Sequence, residues 1–292
     1  MTLLGMGRGA VMLARTVYIA DITSFELGRA MASIGGVMRI GMFIGPILGG
    51  FIAKYFTYSL ALIIAGIITG SGISFIGFLR STPNSAPIGK QVHSFKFISK
   101  TLLEYRSVFT TAGAAVFGLQ LLRAGRHLMI PLWGSAIGLD AADIGLVIGI
   151  PMALEMTMFY PVGVIMDRFG RKWTAVPCIA ILATALGLIP LCHTFSSLLT
   201  VVLLAGIGNG FGSGIVLTLG ADFSPEIGRS SFLGVWRLIG DTENMVSPFL
   251  VGIMTKIFTL SAASTSISSI GFMAALIMLF AVKETKSRSL LR

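Results

Sequence analysis

An all-α, polytopic membrane protein is the fold class the sequence predicts, and three observations predict it. The 292 residues are 54% hydrophobic and 12% charged, with a mean hydropathy of +0.89. Ordinary soluble domains carry about 25% charged residues, so this chain lacks the charge to coat a water-facing surface. Apolar runs of roughly 18 to 25 residues, the length that takes a helix across about 30 Å of hydrocarbon, follow one another with short polar breaks. Backbone amides in lipid have to be satisfied within their own segment, which leaves helices as the element.

Nine spans are predicted in chain order: 2–20, 30–53, 58–79, 108–137, 143–166, 173–192, 197–221, 230–255 and 261–282. The first holds Arg8 and Arg15 inside its apolar run and lacks a small-residue cleavage site, so it is not a cleavable signal. The second opens after Arg29 and closes at Lys54, and the third closes at Arg80. Residues 80–107 form the longest break: Pro83, Asn84, Ser85 and Pro87 mark a loop, and "FKFISKTLLEYR" reads as an amphipathic helix on the membrane surface. The fourth span carries Arg123, Arg126 and His127; the fifth carries Pro151 and Glu155 and ends at Asp167. The sixth follows Lys172, the eighth follows Arg229, and the ninth ends before Lys283. In the seventh, "GIGNGFGSG" (206–214) reads as a glycine-rich helix contact and not a nucleotide loop, because no strand precedes it.

This divides the chain into a three-helix bundle at 1–79, a linker at 80–107 and a six-helix bundle at 108–292. The net charge of +10 arises from bases at the ends of spans, where anionic lipid attracts them, and no aromatic-basic strip suits nucleic acid. Placing the linker in the cytoplasm gathers most of these bases on that side and leaves Lys54 and Lys256 on the other. The C-terminus is then cytoplasmic and, with nine crossings, Met1 is outside. Cys178 and Cys192, 14 residues apart, would be about 21 Å apart on one straight helix, beyond disulfide reach.

"ADITSFELGRA" (20–30) is repeated as "ADFSPEIGRS" (221–230), and "VMRIG" (37–41) as "VWRLIG" (235–240), with Pro46 and Pro248 at matching depth. At this offset the first span corresponds to the fourth span of the second bundle. "GVIMDRFGRK" (163–172) has no twin because its counterpart would precede Met1.

That decapeptide, with Gly163, Asp167, Arg168, Gly170, Arg171 and Lys172, resembles the loop signature of major facilitator superfamily transporters. "GMFIGPILGG" (41–50) is similar to the Gly-Pro signature of the drug-proton antiporter branch, and "LGMGRGA" resembles the fourth-helix signature. The resemblance covers the whole chain as helices four to twelve of a twelve-helix pattern, lacking the first three. It implies a secondary transporter in the plasma (inner) membrane, not an enzyme, with a solute site between two bundles related by an axis along the membrane normal. It also implies that Asp167 meets Arg29, making Gly163, Asp167, Arg168, Gly170, Arg171 and Arg29 a conformational latch.

Physical chemistry supplies the remaining candidates. Gly41, Gly45 and Gly49 recur every fourth residue, with Gly50 beside them and Pro46 to bend the helix: a packing motif with a gating role as one reading and plain packing as the other. An ionisable group inside a span costs about 2.5 to 3.5 kcal/mol on insertion scales, so it marks a cavity or a partner. Glu155, near mid-span, is the leading proton carrier and Glu243 the second; a structural ion pair is the competing reading. Arg123 and Arg126 either hold an anionic substrate or partner Glu155, and Arg237 pairs with Asp241 at i+4. Proton-coupled efflux of a small apolar or cationic solute is expected; an organic-anion or sugar-type importer and a non-transporting remnant are the alternatives. Partners are the solute, protons and membrane lipid. No cofactor, metal or nucleic acid is expected.

Overall fold

The computed structural model describes residues 27–76, 95–225 and 228–285. The span expected over 2–20 and the loop part of the linker lie outside them. Among the described residues every regular element is a helix. Helices α1 (Leu27–Tyr55) and α2 (Tyr58–Ile76) occupy the second and third predicted spans, and α3 (Phe95–Glu104) is the amphipathic segment of the linker. Next come α4 (Arg106–Ala136), α5 (Ala141–Thr157), α6 (Phe159–Phe169) and α7 (Lys172–Leu188). Helices α8 (Phe195–Phe211), α9 (Ile215–Phe223), α10 (Arg229–Asp241), α11 (Glu243–Ile257) and α12 (Leu260–Leu276) complete the chain.

Four stretches are long and apolar enough to cross a membrane: Arg106–Ala136, Lys172–Leu191, Phe195–Phe223 and Leu260–Ala281. The bent pair α5 and α6 makes a fifth, while Ile40–Tyr55 and Tyr58–Ser71 are shorter apolar helices. The span expected over 230–255 is two helices, interrupted at Thr242 where Asp241 and Glu243 flank the break. By length and apolarity the described residues therefore supply four or five crossings, against the nine read from the sequence.

Lipid tails are as apolar as leucine, so helices pack here through close contact and hydrogen bonds and not through a hydrophobic drive between them. Helices α4, α7, α8 and α12 enclose a core of Leu119, Leu122, Ile179, Leu182, Leu186 and Ile267. Small residues let the backbones approach: Gly118 lies against Ala274, Gly271 against Leu122 and Gly187 against Ser268. The buried hydroxyls of Ser264 and Ser268 each donate across the interface, to the Leu186 and Ala183 carbonyls at 2.7 Å. Large apolar side chains such as Leu62, Ile67, Leu217 and Phe280 point outward, the arrangement a lipid solvent stabilises.

Two interruptions shape the interior. Between α5 and α6 the axis bends by 51°. Pro161 has no N–H for the carbonyl of Thr157 four residues back, which breaks the ladder at that point. Between α8 and α9 the chain passes through Gly212, Ser213 and Gly214, the last with φ +78°, where a side chain would be strained. Broken helices leave carbonyls unpaired, tolerable at membrane depth where they line a cavity and find a donor.

Helix α1 lies along α5. A methyl group placed on Gly50 would strike the Ala141 carbonyl, one on Gly145 the Pro46 carbonyl, and one on Gly149 Ile47 and the Phe43 carbonyl. The same test at Gly41, Gly45 and Gly49 meets nothing within 4 Å among the described residues. Of the predicted packing motif, Gly50 and the Pro46 carbonyl therefore make the contact with α5, and the every-fourth glycine face does not.

Candidate functional site

Past this contact α1 and α5 leave a cavity of about 280 Å³ against α4 and the α8–α9 break. Met42, Met152 and Met156 supply its flexible apolar wall, and Arg123, Arg126 and Glu155 its charge. Arg126 is buried, 4% exposed at the side chain, and its Nη1 donates to Oε1 of Glu155, itself 17% exposed. The other carboxylate oxygen, Oε2, accepts from Asn209 Nδ2 at 2.6 Å. Asn209 in turn accepts the Arg123 Nε–H on Oδ1 at 2.7 Å. Arg123 also donates to Gln120 Oε1 and to the Gly212 carbonyl, each at 2.9 Å.

Every link in this chain has a direction. Asn209 can serve Glu155 and Arg123 together only with its amide nitrogen toward the acid and its oxygen toward the base. Helix geometry explains the grouping: Gln120 and Arg123 are three residues apart on one face of α4, and Arg126 follows on the same face three residues later. The carbonyl of Gly212 is available because the helix stops there. His127 lines the same cavity, and the buried Cys178 thiol lies beneath it against Gly212.

The two arginines of the sequence reading thus differ. Arg126 is the partner of Glu155, whereas the partners of Arg123 among the described residues are neutral: three oxygens and the Cys178 thiol. Asn209 and Gln120 were missed by the sequence reading, although a lone amide within an apolar run is a signal of the same kind as a lone charge. Glu243 is buried in the first turn of α11 and does not line this cavity. Arg237 and Asp241 form the expected pair on α10 at 3.3 Å, well exposed.

The loop signature assembles elsewhere, at the α6–α7 junction. Arg171, 5% exposed, donates from Nε to Asp222 of α9 at 2.9 Å and from Nη1 to the Met166 carbonyl. Asp167, 76% exposed, stands 3.3 Å from Arg171 and so contributes the weaker link. Glu284, beyond α12, accepts the backbone N–H groups of Arg171 and Lys172 at 2.6 and 3.2 Å, closing the N-terminus of α7. Gly170 takes φ +112° and packs on that carboxylate; a methyl group placed on Gly163 would meet nothing within 4 Å among the described residues, and Arg168 is exposed. Arg29 sits in the first turn of α1, and its side chain lies outside what the structure describes. The charges seen at this junction join α6, α7, α9 and the tail of α12. Asp222 was legible as the acid of the repeated "ADFSPEIGRS"; Glu284 carried no local signal.

At the opposite end of α1 and α5, Lys54 Nζ meets Asp140 Oδ2 at 2.8 Å, both about 40% exposed. Asp140 also caps α5, accepting from the backbone N–H groups of Ala142 and Asp143 at 2.9 Å. The hydrogen bond from Lys54, then those from the backbone, hold its carboxyl below the usual carboxylate range.

The sequence pattern of the Major Facilitator Superfamily matches residues 1–124 and again 127–291. The chain belongs to the Major Facilitator Superfamily. No curated protein matches it. A facilitator of this superfamily is an integral membrane protein and a secondary transporter of small molecules, and the buried polar network is placed where such a protein needs one: beside a cavity, in the midst of apolar helices. In this facilitator the acid, its basic partner and the amide linking it to a second base come from three helices, α4, α5 and α8.

Proposed function

We propose that this chain is a proton-coupled transporter that works by alternating access, with Glu155 carrying the proton. The observation that carries the reading is the pairing of Glu155 with buried Arg126 at the wall of the cavity. A proton arriving on Glu155 cancels the charge that Arg126 faces and leaves the Asn209 amide with a poorer acceptor. The network then has to rearrange, which ties proton occupancy to helix position.

The α1–α5 contact supports a gate on one side. Its close approaches, Gly50 to Ala141 and Gly145 to Pro46, lie between the cavity and the Lys54–Asp140 pair. In this reading that side faces outward and is shut, the cavity is served from the cytoplasm, and the C-terminus is cytoplasmic in the plasma (inner) membrane. The shorter helices α1, α2 and α10–α11 also cross and, with the span expected over 2–20, make up the nine crossings and the division at 80–107 read from the sequence. Glu243 is a second proton site, Gly41, Gly45, Pro46, Gly49 and Gly50 belong to the gate, and the loop of Asp167 and Arg168 meets Arg29 as the inner latch.

The Gly-Pro signature favours drug-proton efflux. A specific observation favours the alternative, an organic-anion carrier: among the described residues the arginine nearest the helix break has neutral partners. The test of proton coupling is solute flux in proteoliposomes carrying a pH gradient. Wild type is expected to respond to the gradient and Glu155→Gln to exchange solute without responding to it. Equal gradient response in both removes Glu155 from the role.

A further inference from the structure

From the charge of the cavity wall we infer that the transported solute is a small organic anion, seated on Arg123, and that it moves in the same direction as the proton. This rests on the reading of Glu155 as proton carrier.

The first argument is the charge tally. Among the described residues, the ionised groups on the wall are Arg123, Arg126 and Glu155, with neutral His127 beside them and Cys178 beneath. Glu155 balances Arg126 and leaves Arg123 in surplus. A half-buried guanidinium is stabilised by a counter-charge, and among the described residues Arg123 has neutral partners: the oxygens of Asn209, Gln120 and Gly212 and the Cys178 thiol. Of its five N–H groups the oxygens engage three, one on each nitrogen. Nη2 also lies beside the Cys178 sulfur, a weak acceptor, and one N–H on Nη1 is left without an acceptor among the described residues. A planar fork with one open donor and one held only by sulfur suits the oxygens of a carboxylate, sulfonate or phosphonate. A cation in this cavity would face a like charge, with only the already paired Glu155 to receive it.

Size is the second argument. The cavity of about 280 Å³ is at the small end of the range for small-molecule sites, about 300 to 1,000 Å³, which suits a small solute. The methionines Met42, Met152 and Met156 offer an adaptable apolar surface to the rest of such a molecule.

The direction of coupling follows from electrostatics. With Glu155 ionised, an anion competes with it for Arg126. With Glu155 protonated, Arg126 is released to join Arg123, and the wall carries two unbalanced positive charges. Protonation therefore tightens anion binding, and by linkage the anion tightens proton binding by the same factor. Two ligands that favour each other travel together. A cationic solute would have the reverse linkage and exchange against the proton.

The test uses purified full-length protein in detergent and three probes of similar size: benzenesulfonate, neutral benzenesulfonamide and cationic benzamidine, each of fixed charge between about pH 5.5 and 8. Acetate and methylphosphonate extend the anion set. Binding is read by calorimetry and by ligand-induced thermal shift. At least one anion is expected to bind, and to bind at least about fivefold tighter at the lower pH, the low end of typical coupling factors. Arg123→Gln should weaken it roughly ten- to a hundredfold, as loss of hydrogen bonds between charged groups does, with Arg123→Lys recovering part. Glu155→Gln should bind the anion tightly at both pH values. Failure of every anion to bind, a preference for benzamidine, or anion binding indifferent to Arg123→Gln would each overturn the proposal. Anion binding that depends on Arg123 but not on pH would keep the anion site and remove Glu155 as carrier. Gradient-driven exchange of benzamidine in liposomes would keep the carrier and remove the anion.

Discussion

Replacing Glu155 with glutamine changes one oxygen into an amide nitrogen, yet it is expected to unsettle the whole polar network. Arg126, 4% exposed, keeps its charge and loses its one acid partner among the described residues. Breaking a buried pair by removing one member costs about 3 to 5 kcal/mol, because an uncompensated charge stays behind. Turning the glutamine oxygen toward Arg126 sets its amide against the Asn209 amide, and flipping Asn209 transfers the conflict to Arg123. With an unfolding entropy of about 2.1 cal/mol/K per residue over 292 residues, each kcal/mol is worth roughly 1.6 °C, so the melting temperature in detergent should fall by about 5 to 8 °C. The double variant Arg126→Met/Glu155→Leu removes both charges together and should stay within about 2 kcal/mol of wild type, since apolar replacement of a buried pair is often neutral. Thermal denaturation of wild type, Arg126→Met, Glu155→Leu and the double variant completes the cycle, with Glu155→Gln measured beside it. A single variant within about 1 kcal/mol of wild type, or a double variant equal to the sum of the singles, would refute the argument.

Four further outcomes are expected. Gly145→Ala puts a methyl group on the Pro46 carbonyl, backbone against backbone, and overpacking of this kind costs about 1 to 3 kcal/mol. Borne by the closed state alone, that shifts the population roughly 5- to 150-fold, and an Ile47→Cys reporter facing α5 should label faster with a thiol reagent; an unchanged rate argues against α1–α5 as the gate. Gly170→Ala forces a side chain to φ +112° and against the Glu284 carboxylate, and should cost about 1 to 3 kcal/mol in the same denaturation assay. Arg171→Lys keeps the charge but cannot reach Asp222 and the Met166 carbonyl with one planar fork; a loss of about 1 to 3 kcal/mol is expected, and none if Asp167 is the partner that matters. Because the folded state lowers the carboxyl of Asp140, the contribution of its pair with Lys54 is complete above the ordinary value of 3.8 and is lost as pH falls through the lowered one. Ile47→Cys labelling, taken as a ratio to an exposed reference cysteine at each pH to remove the thiolate dependence, should accordingly be flat from about pH 5 to 9 and rise in Asp140→Ala; a step in that ratio would assign the clasp to another group.

Much of this protein is legible in its sequence because lipid is an exacting solvent. A medium that cannot hydrate a peptide group leaves one kind of segment, so the runs that became α4, α7, α8 and α12 are visible as runs. The same expense makes Glu155 and Arg126 conspicuous wherever they stand, and the signature "GVIMDRFGRK" named the family from a few residues. The count of crossings was less legible. Helices α10 and α11 read as one span until the break at Thr242, because an averaged hydropathy over 230–255 passes over three charged residues.

Partnership was not legible at all. Arg171 sits four residues from Asp167 in the chain and on that evidence pairs with it; the fold turns its Nε toward Asp222, 51 residues away, and brings Glu284 from beyond α12 to close the start of α7. Arg123 and Arg126 look equivalent in sequence, yet only packing sets one against Glu155 and the other against Asn209 and a carbonyl that exists because α8 breaks at Gly212. Periodicity tells which face of a helix is polar. Which polar face meets which is decided by the crossing of helices far apart in the chain, through close approaches such as Gly145 on Pro46 that no local pattern records.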